Sequence, residues 1–128
     1  MNKPLSLIVE DDIKLSEVFS KSLESAKFET QIVHDGQLAI ERLKHRTPEV
    51  VILDLHLPHV SGEAVLKYLR SWRRFSKTMV IVVTADPGWS ENLRLETDLV
   101  LIKPVSPLLL RELASRLHLS AMKNYATA

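Results

Sequence analysis

Several apolar stretches of the 128-residue chain end in polar side chains of complementary chemistry. Glu10, Asp11 and Asp12 follow one run, Asp54 ends another, and Thr84 and Lys103 close two more. Carboxylates crowded into one place repel one another, so a cluster built from Glu10, Asp11 and Asp54 calls for a cation among them. A hard divalent ion with oxygen ligands suits that set, and Mg2+ accepts one or two carboxylates while keeping positions for water and a phosphate. With this ion and the Lys103 ammonium neutralising a phosphoryl group, and the Thr84 hydroxyl bonding one of its oxygens, Asp54 is a candidate nucleophile forming an acyl phosphate. Asp12 has a competing role as the N-cap of a following helix. The absence of Cys excludes disulfides, thiolate metal sites and a cysteine nucleophile.

These side chains act together only if the chain brings the ends of the runs to one edge. Short apolar runs alternating with segments of helical period are the signature of strand-helix units and a parallel sheet. Strands are expected at Leu5 to Val9, Glu29 to Val33, Val50 to Leu53, Met79 to Val83, and near Asp98 to Ile102. The first helix carries Leu15, Val18, Phe19 and Leu23; the second follows an Asp35-Gly36 turn and uses Leu38, Ile40 and Leu43. Ser61 is placed as the N-cap of a helix on Val65, Leu66, Leu69 and Trp72, and Ser106-Pro107 opens a last helix through about Leu117. The segment Ser90 to Glu96 predicts a short or irregular helix. Ser120 to Ala128 predicts a frayed tail or the start of a linker, following a domain over residues 1–119. In an open parallel sheet, ligands bind outside the carboxyl ends of the strands, where Glu10, Asp11, Asp54, Thr84 and Lys103 all fall.

Composition bounds the remaining choices. A chain with 45% hydrophobic and 26% charged residues fits one soluble domain with a packed core. Runs such as Val50 to Leu53 fall far short of the roughly 18 apolar residues that span a bilayer, and Met1 to Leu5 has no signal-peptide core. A cytoplasmic protein without membrane contact is expected. A formal net charge of +1 argues against a dedicated nucleic-acid binder. Arg70, Arg73, Arg74 and Lys77, beside Trp72, read as a solvated helix end whose cations face the negative dipole terminus.

Val9-Glu10-Asp11-Asp12, Val51 through Pro58 with Gly62, Val83-Thr84-Ala85 and Ile102-Lys103-Pro104 together resemble the response-regulator receiver domain of two-component signalling. The likeness runs from about Leu5 to Leu117, and the Asp35-Gly36 turn also matches. It implies an α/β, flavodoxin-like fold: a doubly wound five-stranded parallel sheet in the order 2-1-3-4-5 with helices on both faces. It implies further that Asp54 accepts a phosphoryl group from a sensor histidine kinase or phosphotransfer protein. Asp11 would then bind Mg2+ directly, Glu10 mostly through water, and the His56 backbone carbonyl would add a ligand. Thr84 would move toward the phosphoryl oxygen, Lys103 would pair with it, Pro104 would follow a cis peptide bond, and the small Ala85 would leave access to Asp54. Such a domain catalyses only its own phosphotransfer and dephosphorylation, and its output passes to a downstream partner or a fused domain outside this chain.

The likeness has gaps with consequences. Val100 stands where many receivers carry a Tyr or Phe whose rotamer follows the threonine, the span from Thr84 to Lys103 is shorter than usual, and Glu96-Thr97 replaces a Gly-Ala. An altered switch face is expected. His56 and Asp86 hold the positions that tune phosphate lifetime, and would pair across the mouth of the site when His56 is protonated. Leu108, Leu109 and Leu110, with Leu113 and Leu117, cover more than one helix face, which offers a surface to a partner or a second copy of the chain. A different reading keeps the fold but makes partner binding independent of phosphate; Val100 favours it, and the acid cluster, Thr84 and Lys103 oppose it. A phosphatase lacks its second acid, since His56 stands two residues beyond Asp54, and a flavin protein lacks a phosphate loop after the first strand.

Overall fold

Residues 3–86 and 94–127 are described by the computed structural model, with side chains described through residue 119. Strands β1 (Leu5–Val9), β2 (Glu29–Val33), β3 (Val50–Asp54), β4 (Met79–Thr84) and β5 (Leu99–Ile102) pair in parallel, in the order β2-β1-β3-β4-β5. This is the expected doubly wound topology. Helices α1 (Ile13–Ser25), α2 (Gly36–His45), α3 (Gly62–Ser71) and α4 (Pro107–Thr127) connect or follow the strands, and a 3-10 turn spans Arg73–Phe75.

Side chains alternate across a strand, so the three central strands feed two cores. Leu7, Val9, Val51, Leu53, Val80 and Val82 pack with Ala39 and Leu43 of α2 and Val65, Leu66 and Leu69 of α3. Ile8, Ile52, Ile81 and Val83 face the other way, against Phe19 and Leu23 of α1 and Leu110 and Ala114 of α4. The β-branched run Val50 to Leu53 suits a strand buried on both faces, and β3 is buried throughout, as β1 and nearly all of β4 are too. Helix starts follow local chemistry. Asp12, Asp35 and Ser61 accept hydrogen bonds from Leu15, Leu38 and Ala64 N–H groups, and Ser106 Oγ accepts from Leu109 N–H.

Several expectations are corrected. α4 continues through Thr127 where a frayed tail was expected from residue 120, because no Gly or Pro interrupts it after Pro107. Trp72 is not on the apolar stripe of α3; the helix ends at Ser71, Trp72 is extended at φ −117° and ψ 130°, and Phe75 from the following turn fills the core instead. Arg70 is not a solvated helix end. Its guanidinium donates to the carbonyls of Phe75, Thr78 and Glu96 and pairs with Asp98 at 3.0 Å, tying α3 to the segments that lead into β4 and β5. Asp98 precedes β5, and its carboxylate accepts from Val80 N–H at 2.7 Å. Leu110 is wholly buried while Leu108 and Leu109 are 70% and 46% exposed, so the leucine triple does leave apolar surface outside. Pro87-Gly88 and the first part of the segment Ser90 to Glu96 lie outside the described residues. Among the described residues no helix is long and apolar enough to cross a membrane.

Gly36 is the first residue of α2 rather than a turn glycine, and it has no positive φ. A β-carbon there would collide with the carbonyl oxygen of Val60, so the requirement is close approach of α2 to the loop after β3. Gly36→Ala is therefore expected to cost about 1–3 kcal/mol by overpacking, read as a lowered urea midpoint, while Gln37→Ala on the exposed face leaves the midpoint within experimental scatter.

Candidate functional site

The polar residues singled out in the sequence meet at the carboxyl ends of β1, β3, β4 and β5. Glu10 follows β1, with its N–H donating to the Val33 carbonyl and its own carbonyl 2.9 Å from His34 Nδ1. Its side chain is nearly inaccessible at 1% exposure, and Asp54 at the end of β3 is 3% exposed. Asp11 lies outside, in solvent. One carboxylate oxygen from each of Glu10, Asp11 and Asp54 falls within 4.8 Å of the others. Asp12 does not join them, because its carboxylate is spent on the α1 cap, the competing role weighed from the sequence.

Lys103 enters this cluster from β5. Its N–H donates to the Thr84 carbonyl, it precedes a cis peptide bond to Pro104, and its Nζ lies 2.8 Å from Glu10 Oε1 and 3.4 Å from Asp54 Oδ2. Two backbone groups complete the acids' surroundings: His56 N–H donates to Asp54 Oδ1 at 3.1 Å and Asp12 N–H to Glu10 Oε2 at 3.2 Å. The Thr84 hydroxyl is buried and turned to the chain beyond β4, accepting from Asp86 N–H and donating to the Asp86 carbonyl. Ala85, His56 and Asp86 are exposed, and among the described residues no ion pair joins His56 to Asp86. His34 was not anticipated. A lone polar residue after an edge strand carries no pattern by which its contact with the Glu10 carbonyl could be read.

Burial pushes the Glu10 carboxyl from 4.5 up to about 7; the neighbouring Asp54 adds to the rise, and Lys103 and the Asp12 N–H oppose it. Burial alone would lower Lys103, but Glu10 and Asp54 together outweigh it and raise its pKa. In a balanced ion pair the acid would fall as the base rises. Both rise here because one ammonium is shared among more than one carboxylate, leaving excess negative charge in a site largely shielded from water. Glu10 Oε1 is also buried without a well-formed hydrogen bond, despite the nearby ammonium. Excess negative charge, hard oxygen donors and one solvent-facing ligand fit a Mg2+ that keeps several waters.

Residues 6–115 match the family of the response regulator receiver domain. The chain belongs to that family. The receiver is 31% identical over 118 residues to the transcriptional regulatory protein BaeR of Escherichia coli, covering 90% of this chain and 47% of that protein. It is 30% identical over 95 residues to the hybrid signal transduction histidine kinase D of Dictyostelium discoideum, covering 74% of this chain and 6% of the kinase. The chain thus spans about half or less of these curated relatives. Among solved structures, the receiver domain from Methylobacillus flagellatus superimposes with a TM-score of 0.80 at 26% identity, covering 91% of this chain and 99% of that one. The acidic cluster with its Lys103 ion pairs is the active site of a receiver, built for aspartate phosphorylation with Mg2+ coordination. A receiver site of this kind catalyses its own domain's phosphotransfer and dephosphorylation.

Between pH 4.5 and about 7 the native receiver holds on Glu10 a proton that the unfolded chain has released, so this group's contribution to stability falls as pH rises through that window. In chelator, the melting temperature of the parent should drop from about pH 5 to about pH 8 relative to Glu10→Gln, and Mg2+, which competes with that proton, should shrink the difference. Identical pH profiles for parent and variant would overturn this.

Proposed function

We propose that this receiver takes a phosphoryl group onto Asp54 from the phosphohistidine of a sensor kinase or phosphotransfer protein, and that the phosphorylated form changes which partner it binds. The observation that carries the reading is the Asp54 carboxylate at the end of a buried strand, with Lys103 Nζ 3.4 Å away and two further acids beside it. An Asp54 oxygen attacks phosphorus, the phosphorus–nitrogen bond of the donor breaks, and the imidazole leaves with the electron pair. Lys103 exchanges its contact with Glu10 for a phosphoryl oxygen. Thr84 gives up the Asp86 backbone and donates its hydroxyl to another phosphoryl oxygen. Asp11, Asp54 and the His56 carbonyl would hold Mg2+, with Glu10 acting through water, and the ion would supply charge neutralisation at the phosphoryl oxygens.

Departures from the family pattern shape the output. Val100 is half-buried against the core, and an aliphatic side chain there has no aromatic ring to swing when Thr84 moves, so the β5 face changes less than in receivers carrying Tyr or Phe. His56 and Asp86, both exposed beside the site, set the lifetime of the acyl phosphate by controlling access of water. The exposed Leu108 and Leu109 offer a surface to a downstream partner or a second copy of the chain, and the output passes to such a partner or to a fused domain outside this chain. A cytoplasmic location fits this reading, since kinase and phosphotransfer partners present phosphohistidine there.

Incubation with Mg2+ and acetyl phosphate should add one phosphoryl mass. Asp54→Asn should abolish that mass, and Lys103→Ala should slow its appearance by roughly 100-fold. A parent that stays unmodified under these conditions refutes the reading. His56→Ala and Asp86→Ala should shorten the lifetime of the phosphorylated protein, and unchanged lifetimes in both would remove these residues from that role. A crystal structure with a phosphate mimic on Asp54 should show little displacement of β5, and a large rearrangement there would overturn the role given to Val100.

A further inference from the structure

The basic-aromatic cluster at the opposite end of the sheet has no part in phosphotransfer. A cavity of ≈ 350 Å³ lies there, between the end of α2, the end of α3 and the 3-10 turn, and the described residues lining it are Lys44, Tyr68, Trp72 and Arg74. No carboxylate lines it among the described residues. Trp72 is 55% exposed, an unusual position for the largest apolar side chain in a protein whose core is already filled here by Phe75. Its ring sits 6.2 Å from that of Tyr68 at a tilt of 55°, which leaves an indole face open. Arg74 is oriented by two contacts, its guanidinium 4.5 Å over the Phe75 ring and its Nη1 donating to the Lys44 carbonyl at 3.4 Å. Lys44 is exposed with no ion pair among the described residues.

The ends of α2 and α3 account for cations at this edge through the helix dipole. They do not account for an exposed indole beside a cavity or for a guanidinium stacked at its rim. A ligand that uses both features carries a flat ring and an anion. We propose that this cavity binds a nucleoside phosphate, with the base stacked on Trp72 and the phosphate held between Lys44 and Arg74. The volume is that of a small-molecule site.

Titration of the full chain with adenosine 5′-monophosphate and guanosine 5′-monophosphate, followed by NMR, tests this. The indole N–H signal of Trp72, assigned through its loss in Trp72→Phe, should shift saturably with at least one nucleotide. Ribose 5-phosphate and adenosine should each bind at least about tenfold more weakly. Lys44→Ala and Trp72→Ala should each weaken the nucleotide by a similar factor while leaving acetyl phosphate labelling of Asp54 at the parental rate, which shows that the variants are folded. The proposal is overturned if no signal saturates by about 10 mM. It is equally overturned if ribose 5-phosphate binds as well as the nucleotide, or if an acidic hexapeptide of glutamate binds better, which would assign the patch to an acidic protein partner.

Discussion

Negative charge packed more densely than the local cation can neutralise is the constraint around which this receiver is arranged. Glu10 and Asp54 are almost removed from water, Asp11 sits at their margin, and Lys103 supplies the one ammonium between them. In isolation such a group of acids would protonate or push apart. The upward displacement of the Glu10 pKa is the first of those responses, checked but not cancelled by Lys103. The energy so held is available to whatever brings positive charge, and this is why a divalent ion and an electrophilic phosphoryl group find the same pocket favourable.

Holding like charges together requires a frame that does not yield. Three central strands, buried on both faces, end at the same level and deliver Glu10, Asp54 and Thr84 from rigid backbone. Lys103 comes from the edge strand, whose side chains are more exposed, and its long aliphatic stem spans the remaining distance. The acids are thus anchored by the middle of the sheet and the cation by its margin, so the cation is the freer member. Arg70 strengthens the opposite end of the same strands by gathering carbonyls from the 3-10 turn and the start of β4.

What could be read from the sequence was what short-range chemistry decides. The apolar run of β3 leaves no choice but burial on both sides, and Asp12, Ser61 and Ser106 announce helix starts by their own side chains. The acids, Thr84 and Lys103 were legible as a site because a parallel sheet sends successive strand ends to one edge. Tertiary packing decided the rest. Trp72 continues the helical spacing of Val65 and Leu69, yet Phe75 reaches that core first and the indole is left outside. Arg70 looks like any surface cation until the carbonyls of three separate segments converge on it. The glycine of Asp35-Gly36 has the appearance of a turn, but its meaning lies in the distant Val60 carbonyl, which no local pattern reveals.

Gly62 gives the site a mechanical asymmetry. The first residue of α3 rests so closely on the backbone of Asp54 and Leu55 that even a methyl group would not fit, and its N–H donates to the Leu55 carbonyl. The Asp54 carboxylate is therefore braced from behind by a helix that has no room to advance. Across the pocket, the Thr84 hydroxyl is held by two hydrogen bonds to the backbone of Asp86, which can be exchanged for bonds to a new anion. The site works like a vice with one fixed jaw and one sliding jaw. The α2 and α3 side of the molecule is thus the fixed reference for any movement on the Thr84 side of the site.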